Sequence, residues 1–382
     1  MTYIRMESPL KKQMTQRPRV TFAGKDRNIF FKTLKKRVDR HFNDHGISMH
    51  ANSHMVIKTI IILAVYTMPF FFLLYFQPAL LPSLPLWLVM GIGMAGVGMT
   101  IMHDAIHGAY SSSTFVNKML GFTLNLVGGS KHNWRLQHNI LHHTYTNITH
   151  LDDDIADKTV LRFSPHTPLK WYHKLQPVYA FFFYGLLTLY WVSLKDYVQF
   201  ILYTRDGVNP NTRTQNVKLL LGIITMKTAY FFVLLGIPTL LGIPFLHVLY
   251  GFLLMHFVAG IILTTVFQLA HSVDETEFPV PDDEGKIQNA WAIHQMETTM
   301  NFAPNNRWLS WYLGGLNYQV EHHLFPGICH VHHPEVSKIV RETAREFDVA
   351  YREHESLTAA LKSHVRYMIR IGKLPDLNDG IG

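Results

Sequence analysis

The sequence predicts an all-α integral membrane protein: four transmembrane helices in two hairpins, with interfacial helices and a cytosolic helical cap that holds a metal site. Three observations predict it. Two long stretches, Thr59 to Met102 and Pro238 to Ala270, contain no Asp, Glu, Lys or Arg. Basic residues crowd the segment before the first stretch, while the expected hairpin turns carry none. Histidines gather in three tight motifs at the edges of the apolar segments.

A crossing helix needs ~20 apolar residues. The first stretch therefore accommodates two spans, roughly 57–77 and 85–102, with Gln77, Pro78, Pro82 and Pro85 supplying the turn. The second, extended back to Leu219, gives roughly 219–241 and 245–270, broken by Gly236, Pro238, Gly242 and Pro244. The basic residues before the first span are Arg27, Lys32, Lys35, Lys36, Arg37 and Arg40. By the positive-inside rule they place both termini in the cytoplasm. The formal net charge of +8 is read as this juxtamembrane excess and not as a nucleic-acid surface.

Three regions follow: a basic cytosolic N-terminal segment (1–56), a membrane domain (57–334), and cytosolic C-terminal helices (335–382) with Leu357, Leu361, Val365 and Ile369 at helical spacing. Residues 1–25 are expected to be disordered. Tyr179 to Tyr203 is nearly long enough to cross. Its tyrosines, and the interruption by Lys195 and Asp196, assign it to an interfacial or buried helix. Phe115 to Gly128 is too short to span and receives the same reading. The single cysteine, Cys329, excludes an intrachain disulfide and fits a cytosolic catalytic portion, and no signal peptide is expected.

The histidine motifs read HDAIH (His103, His107), HNILHH (His138, His142, His143) and QVEHH (His322, His323), and His271 closes the last apolar stretch. His103 and His107 share a helix face, as do His138 and His142, with His143 pointing to one side. Gln319, His322 and His323 share another. Imidazole is a good ligand for iron, zinc and copper. No one helix turn surrounds an ion, but three converging faces could hold two. Orienting partners for the imidazoles are sought in Asp104, Asn139, Asp152, Asp153, Asp154 and Glu321.

Plainer roles fit other residues. His294 is read as structural, and His330, His332 and His333 as loop residues or partners of the ligands. His256, midway along the fourth span, is read as lining a tunnel or bonded between helices. Lys227 is read as snorkelling to the cytosolic end of its span. Gly91, Gly93, Gly96 and Gly98 are read as close helix contacts. Lys131, Arg135, Arg162, Lys170 and Lys174 are read mostly as juxtamembrane charge, with Trp134 and Arg135 as candidate substrate contacts.

HDAIH, HNILHHTYTN followed by LDDDI, and GGLNYQVEHHLFP together resemble the membrane fatty acid desaturases, over a stretch from about the first span to His333. Gln319, opening the third motif where many relatives have histidine, is similar to the front-end subgroup. The resemblance implies a non-haem di-iron oxidase that uses O2 and two electrons. Its ligands would be His103, His107, His138, His142, His143, His271, His322 and His323, with Gln319 weak or indirect. It implies a long-chain fatty acyl substrate, carried on coenzyme A or lipid, and a bacterial inner membrane setting with the active site cytosolic. The His-Pro-Gly-Gly mark of a fused cytochrome domain is absent from this sequence, so a separate electron donor, a ferredoxin or a b-type cytochrome, is expected. The alternatives are a di-iron membrane hydroxylase and, more remotely, a metal transporter with ligands near mid-membrane.

Overall fold

The structure, a computed structural model, describes residues 20–23, 28–155 and 160–377. Its helices are α1 (Ile29–Asp44), α2 (Ser53–Phe76), α3 (Leu80–His107), α4 (131–145), α5 (Trp171–Arg205), α6 (Arg213–Leu240) and α7 (Phe245–His271). Five more follow: α8 (Trp291–Thr298), α9 (Arg307–Tyr312), α10 (Gln319–Leu324), α11 (His333–Glu346) and α12 (Leu357–Ile371). Two-residue strands pair in parallel, Thr21–Phe22 with Lys286–Ile287 and Asn301–Phe302 with Glu353–His354. Of the expected disorder over 1–25, residues 1–19 and 24–25 lie outside the described residues, as does Arg27. Val20, by contrast, is buried, and the strand at Thr21 is paired.

Five helices are long and apolar enough to cross a membrane: α2, α3, α5, α6 and α7. Four of them match the expected spans to within a few residues; the first hairpin turn is shorter than expected, and the second falls where expected. Gln77, in the left-handed region at φ 45°, ends α2, and α3 already begins at Leu80. Pro82 therefore sits in the first turn of α3, where a helix needs no N–H donor, and Pro85 lies inside the helix. Likewise α6 runs past Gly236 and Pro238 to Leu240. Proline removes a donor and crowds the carbonyl four residues back; a π-helical turn at Phe232–Gly236 absorbs the mismatch. The chain turns at 241–244, where Gly242 takes φ 100°.

Small residues set how closely the membrane helices approach. A Cβ on Gly93 would lie 2.6 Å from the backbone nitrogen of Tyr66 on α2, and one on Gly91 would lie 2.6 Å from the carbonyl of Met255 on α7. On the other side of α7, a Cβ on Gly260 would meet the carbonyl of Gly185 at 2.5 Å. These contacts, with Trp87, Met90, Met255 and Phe252 between them, form the membrane core.

Helix α5 is bowed. At its start Gln176 donates to the carbonyl of Met368 on α12 (3.1 Å), and near its end Gln199 donates to Gln137 on α4 (2.7 Å). Between them Thr188 donates to the carbonyl of His256 at 2.7 Å, about 22 Å down α7 from His271. A π-helical turn at Trp191–Lys195 follows. Lys227 of α6 does not snorkel. It is buried, paired with Asp196 at 2.7 Å, and donates to the carbonyls of Gly128, Trp191 and Val192. Its partner comes from α5, so the sequence of α6 alone could not reveal it. His256 is bonded between helices, to Tyr230 at 3.0 Å and Thr188 at 3.1 Å. The short helices over Phe115–Gly128 leave Phe115, Met119, Phe122 and Leu126 exposed, as a lipid-facing surface would.

The cap is built by α1, α8, α10 and α11 around Phe30, Leu34, Met296, Val336 and Val340. Helix α12 buries Ala360, Ser363, His364 and Tyr367 and leaves Ile369 exposed. Its buried face is thus one step round from the expected apolar stripe, because it lies on the polar end of α7: His364 Nδ1 donates to the carbonyl of Ser272 at 2.7 Å. Arg162 is also buried rather than juxtamembrane; its guanidinium donates to the carbonyls of Pro165, Thr167, Ile371 and Leu374.

Candidate metal centre

Two membrane helices end in histidine at the same place. The last turn of α3 presents His103 and His107, and His271 is the last residue of α7. Helix α4 is π-helical over Arg135–His142. Bonding from i to i+5 brings residues four and five apart onto one face. His143, expected to point aside, is therefore turned inward, its Nε2 3.3 Å from that of His138. Helix α10, short and fully buried, adds His322 and His323.

The eight imidazoles form two adjoining groups. Ligand atoms of His103, His107, His138 and His322 lie within 4.8 Å of one another, and so do those of His142, His271 and His323. His143 sits between them, its ring centroid 4.8 Å from His107, 4.6 Å from His322 and 4.4 Å from His323. All eight gather at helix ends against the cap, not midway along a span, which is the wrong depth for a transport pathway.

In the second group each ring is tied from behind. His142 Nδ1 donates to Asp152 at 3.0 Å, His323 Nδ1 to the amide oxygen of Gln295 at 2.8 Å, and His271 Nδ1 to the carbonyl of Thr298 at 3.2 Å. That fixes each ring's orientation and turns each Nε2 inward, where a bound cation would take the place of any proton on it. All three Nε2 atoms are buried without a hydrogen-bond partner, as are Nε2 of His103, His107 and His322. Each such buried orphan costs ~1–3 kcal/mol, a penalty that a bound cation removes. Outward Nδ1–H donors and inward Nε2 lone pairs are the arrangement of metal-ligating histidines, so these residues fit a metal.

Burial, and then the mutual repulsion of the rings, hold His138, His143, His322 and His323 well below the usual imidazole range. They stay neutral, as ligands must. Burial also opposes charge on His142, but Asp152 and then Asp154 outweigh it and push it up to about 9.

The surrounding residues sort by contact. Asp152, fully buried, holds His142, and Asp154 lies 3.4 Å from His142 Nδ1 and 3.5 Å from His138 Nδ1. Asp153 faces away, accepting from Tyr203 and Gln199. Asp104 lies 3.6 Å from His103 Nδ1 and accepts from His330 Nδ1 at 2.8 Å, while Lys58 donates to His330 Nε2 at 2.7 Å. His330 is thus a partner of the cluster through Asp104. Asn139 only braces α3, donating to the carbonyl of Ile106. Glu321 braces the cap instead of an imidazole. It accepts from Asn301 and Tyr351, and burial pushes it up to about 7. Gln319 is buried and its amide nitrogen has no partner. Trp134 stacks on His138 with centroids 4.4 Å apart, whereas Arg135 is exposed. His294 is buried against Phe22.

Sequence reasoning missed Gln295, Thr146, Thr298 and Asn147. Asn147, at φ 58°, donates to the carbonyls of His271 and Thr298 and receives Asp152 on its own N–H, knotting α4 to the end of α7. Asparagine tolerates that left-handed conformation, and its place straight after the second motif was the one available signal.

The fatty acid desaturase family model matches residues 78–355. The chain is 38% identical to the sn-1 linoleoyl-lipid 6-desaturase of Synechocystis sp. over 90% of its own length and 96% of that protein's. It is 37% identical to the protein of the same name from Arthrospira platensis, over 91% and 94%. It is 34% identical to the acyl-lipid (8-3)-desaturase of Physcomitrium patens, over 92% of this chain and 73% of that one. With the histidine cluster at the ends of membrane-length helices, these matches make the chain an oxidoreductase that belongs to the fatty acid desaturase family.

Proposed function

We propose that the protein is a non-haem di-iron acyl-lipid desaturase that inserts a cis double bond between an existing double bond and the carboxyl end of the chain. The names of the relatives, 6-desaturases of linoleoyl-lipid and an (8-3)-desaturase, support this regiochemistry, as does glutamine at position 319. The observation that carries the reading is the set of buried, inward-facing, partnerless imidazole nitrogens. Two irons held by the eight histidines would activate O2 and remove hydrogen from two adjacent methylenes.

The chain's own residues orient and enclose. Asp152, Gln295 and the Thr298 carbonyl fix three rings, and Trp134 offers a flat apolar wall beside His103 and His138. Four helices, α2, α3, α6 and α7, cross the membrane. Helix α5 does not, a reading supported by its charged interruption at Lys195 and Asp196 and by the bond from Gln199, near its end, to Gln137 beside His138. Both termini and the site then face the cytosol of a bacterial inner membrane, and a separate ferredoxin or b-type cytochrome supplies electrons.

Expression in a host supplied with linoleic acid, followed by mass spectrometry of intact lipids and iron analysis of the purified protein, tests the reading. A new double bond on the carboxyl side of the existing ones is expected, with two irons per chain. Hydroxylated chains without new unsaturation, or an active iron-free protein, would refute it.

A further inference from the structure

A cavity of about 1020 Å³ opens between the start of α2, helix α9 and one face of α11. Lys338, Arg341 and Arg345 of α11, three and four residues apart, line it together with Glu335 and Glu342 of the same helix, and the lining as a whole carries five basic side chains against two acidic ones. Lys58 and Arg307 line the opposite walls. Lys338 is held by Glu335 at 2.8 Å and Arg341 by Glu353 at 2.6 Å, whereas Arg307 and Arg345 form no ion pair among the described residues. Both arginines are exposed to the cavity's solvent. The inner wall includes Tyr318, which directly precedes Gln319, and His330, which is bonded to Asp104. The cavity thus stops one residue short of the histidine cluster.

We propose that this cavity seats the phosphate-bearing headgroup of a membrane glycerolipid whose acyl chain is the substrate. The proposal rests on the acyl-lipid desaturase reading and names the headgroup class it takes. Location is the first argument. Lys58 lies in the first turns of a membrane-length helix, and α9 exposes Trp308 (86%) and Trp311 (39%), with Lys58 Nζ 5.4 Å from the Trp311 ring. Tryptophan and lysine in that arrangement mark the headgroup layer.

Charge is the second. Two unpaired guanidiniums converging on a cavity suit a phosphate. Shape is the third. A concave cavity of this size suits a small molecule, whereas docking an electron-donor protein takes a broad, flat face of up to about 600 Å² a side. Regiochemistry is the fourth. Desaturation on the carboxyl side of existing double bonds leaves only a short acyl segment between the ester and the reacting carbons, so the headgroup must lie close to the cluster, as this cavity does.

The test uses the full chain in nanodiscs, with linoleoyl chains presented on phosphatidylglycerol, on a neutral galactolipid, or on coenzyme A. Lipid retention by native mass spectrometry gives a readout independent of turnover, and desaturation kinetics give KM for each carrier. The wild type should retain phosphatidylglycerol over the galactolipid. Arg307→Gln with Arg345→Gln should raise KM for phosphatidylglycerol and weaken its retention about fivefold per arginine, about 25-fold together, at low salt. Arg307→Lys with Arg345→Lys should restore most of the preference.

Equal loss on anionic and neutral lipids, or no loss, overturns the proposal. So does an effect confined to acyl-coenzyme A or to the KM of the electron donor. Arginine-dependent retention of phosphatidylglycerol by a wild type that makes no unsaturated product supports the headgroup seat and overturns the desaturase reading instead.

Discussion

Replacing Asp152 by asparagine changes almost no volume, yet the structure gives it a definite cost. One carboxylate oxygen accepts from His142 Nδ1 at 3.0 Å and from the Asp154 N–H at 2.9 Å; the other accepts from His142 Nδ1 at 3.1 Å and from the Asn147 N–H at 2.9 Å. An amide has one acceptor oxygen. Whichever way the new side chain turns, its NH2 faces a backbone N–H, and a buried donor is left unmet at ~1–3 kcal/mol. His142 also loses the carboxylate that makes it a stronger ligand. Losing such an orienting partner weakens metal binding about 10- to 100-fold, or ~1.4–2.8 kcal/mol. The other group, His103, His107, His138 and His322, does not touch Asp152, so the expected result is loss of about half the iron. The assay is iron per chain after dialysis of the detergent-solubilised protein against graded chelator. If the variant holds both irons at the chelator concentrations the wild type withstands, Asp152 does not position a ligand and the reasoning fails.

Other perturbations separate ligation from folding. His322→Ala should lose iron and all measurable activity while still inserting in the membrane; an active, iron-loaded variant would remove His322 from the ligand set. Gln319→His places an imidazole where a buried amide nitrogen lacks a partner, and should alter rate or double-bond position, read by mass spectrometry of the products. Gly260→Ala puts a methyl 2.5 Å from the Gly185 carbonyl and 2.6 Å from the Tyr184 carbonyl, costing ~1–3 kcal/mol; an unchanged Tm would argue against the close α5–α7 contact. The chelator-stripped protein should show a stability maximum near pH 6.5. His138, His143, His322 and His323 are depressed, so their contribution is whole above the unfolded imidazole pKa of about 6.5 and is lost as pH falls toward the folded values. His142, raised to about 9, contributes below about pH 6.5 and is lost as pH rises through 9. Of these five imidazoles four act on the acid side and one on the alkaline side, where Glu321, raised from about 4.5 to about 7, adds a further loss as pH rises, so thermal scans that fall equally steeply both ways would contradict the assignment.

The eight histidines were legible because they recur at helical spacing beside apolar runs of membrane length. Their grouping was not. The sequence offers no sign that α4 would adopt a π-helix over Arg135–His142, so His143 looked displaced by one position when it is the residue between the two groups. The run LDDDI marked a carboxylate near the site but not which one. Alternate residues face the same way, so Asp152 and Asp154 turn to His142 while Asp153 turns to Tyr203. Gln295 was invisible because it lies about 150 residues from the helix it braces, in a segment whose one conspicuous residue, His294, does other work. Lys227 was misread for a similar reason: its partner Asp196 belongs to the one long helix that composition could not assign.

The two histidine groups are not equivalent, and the difference follows from what lies behind each ring. His142, His271 and His323 are each held on Nδ1 by a carboxylate, a carbonyl or an amide oxygen at 2.8–3.2 Å. Behind His103 and His138 the nearest carboxylates stand farther off, at 3.6 and 3.5 Å, and the wall is the apolar face of Trp134. A tied ring keeps its Nε2 aimed inward with no ion present, so the three-histidine group is preorganised. The four-histidine group owes its geometry to packing and gains most from the ion itself. It is also the group linked through Asp104 to the His330–Lys58 wall of the cationic cavity. The looser half of the centre therefore faces the side from which a lipid chain would arrive, and the rigid half is backed by α4, α8 and the end of α7.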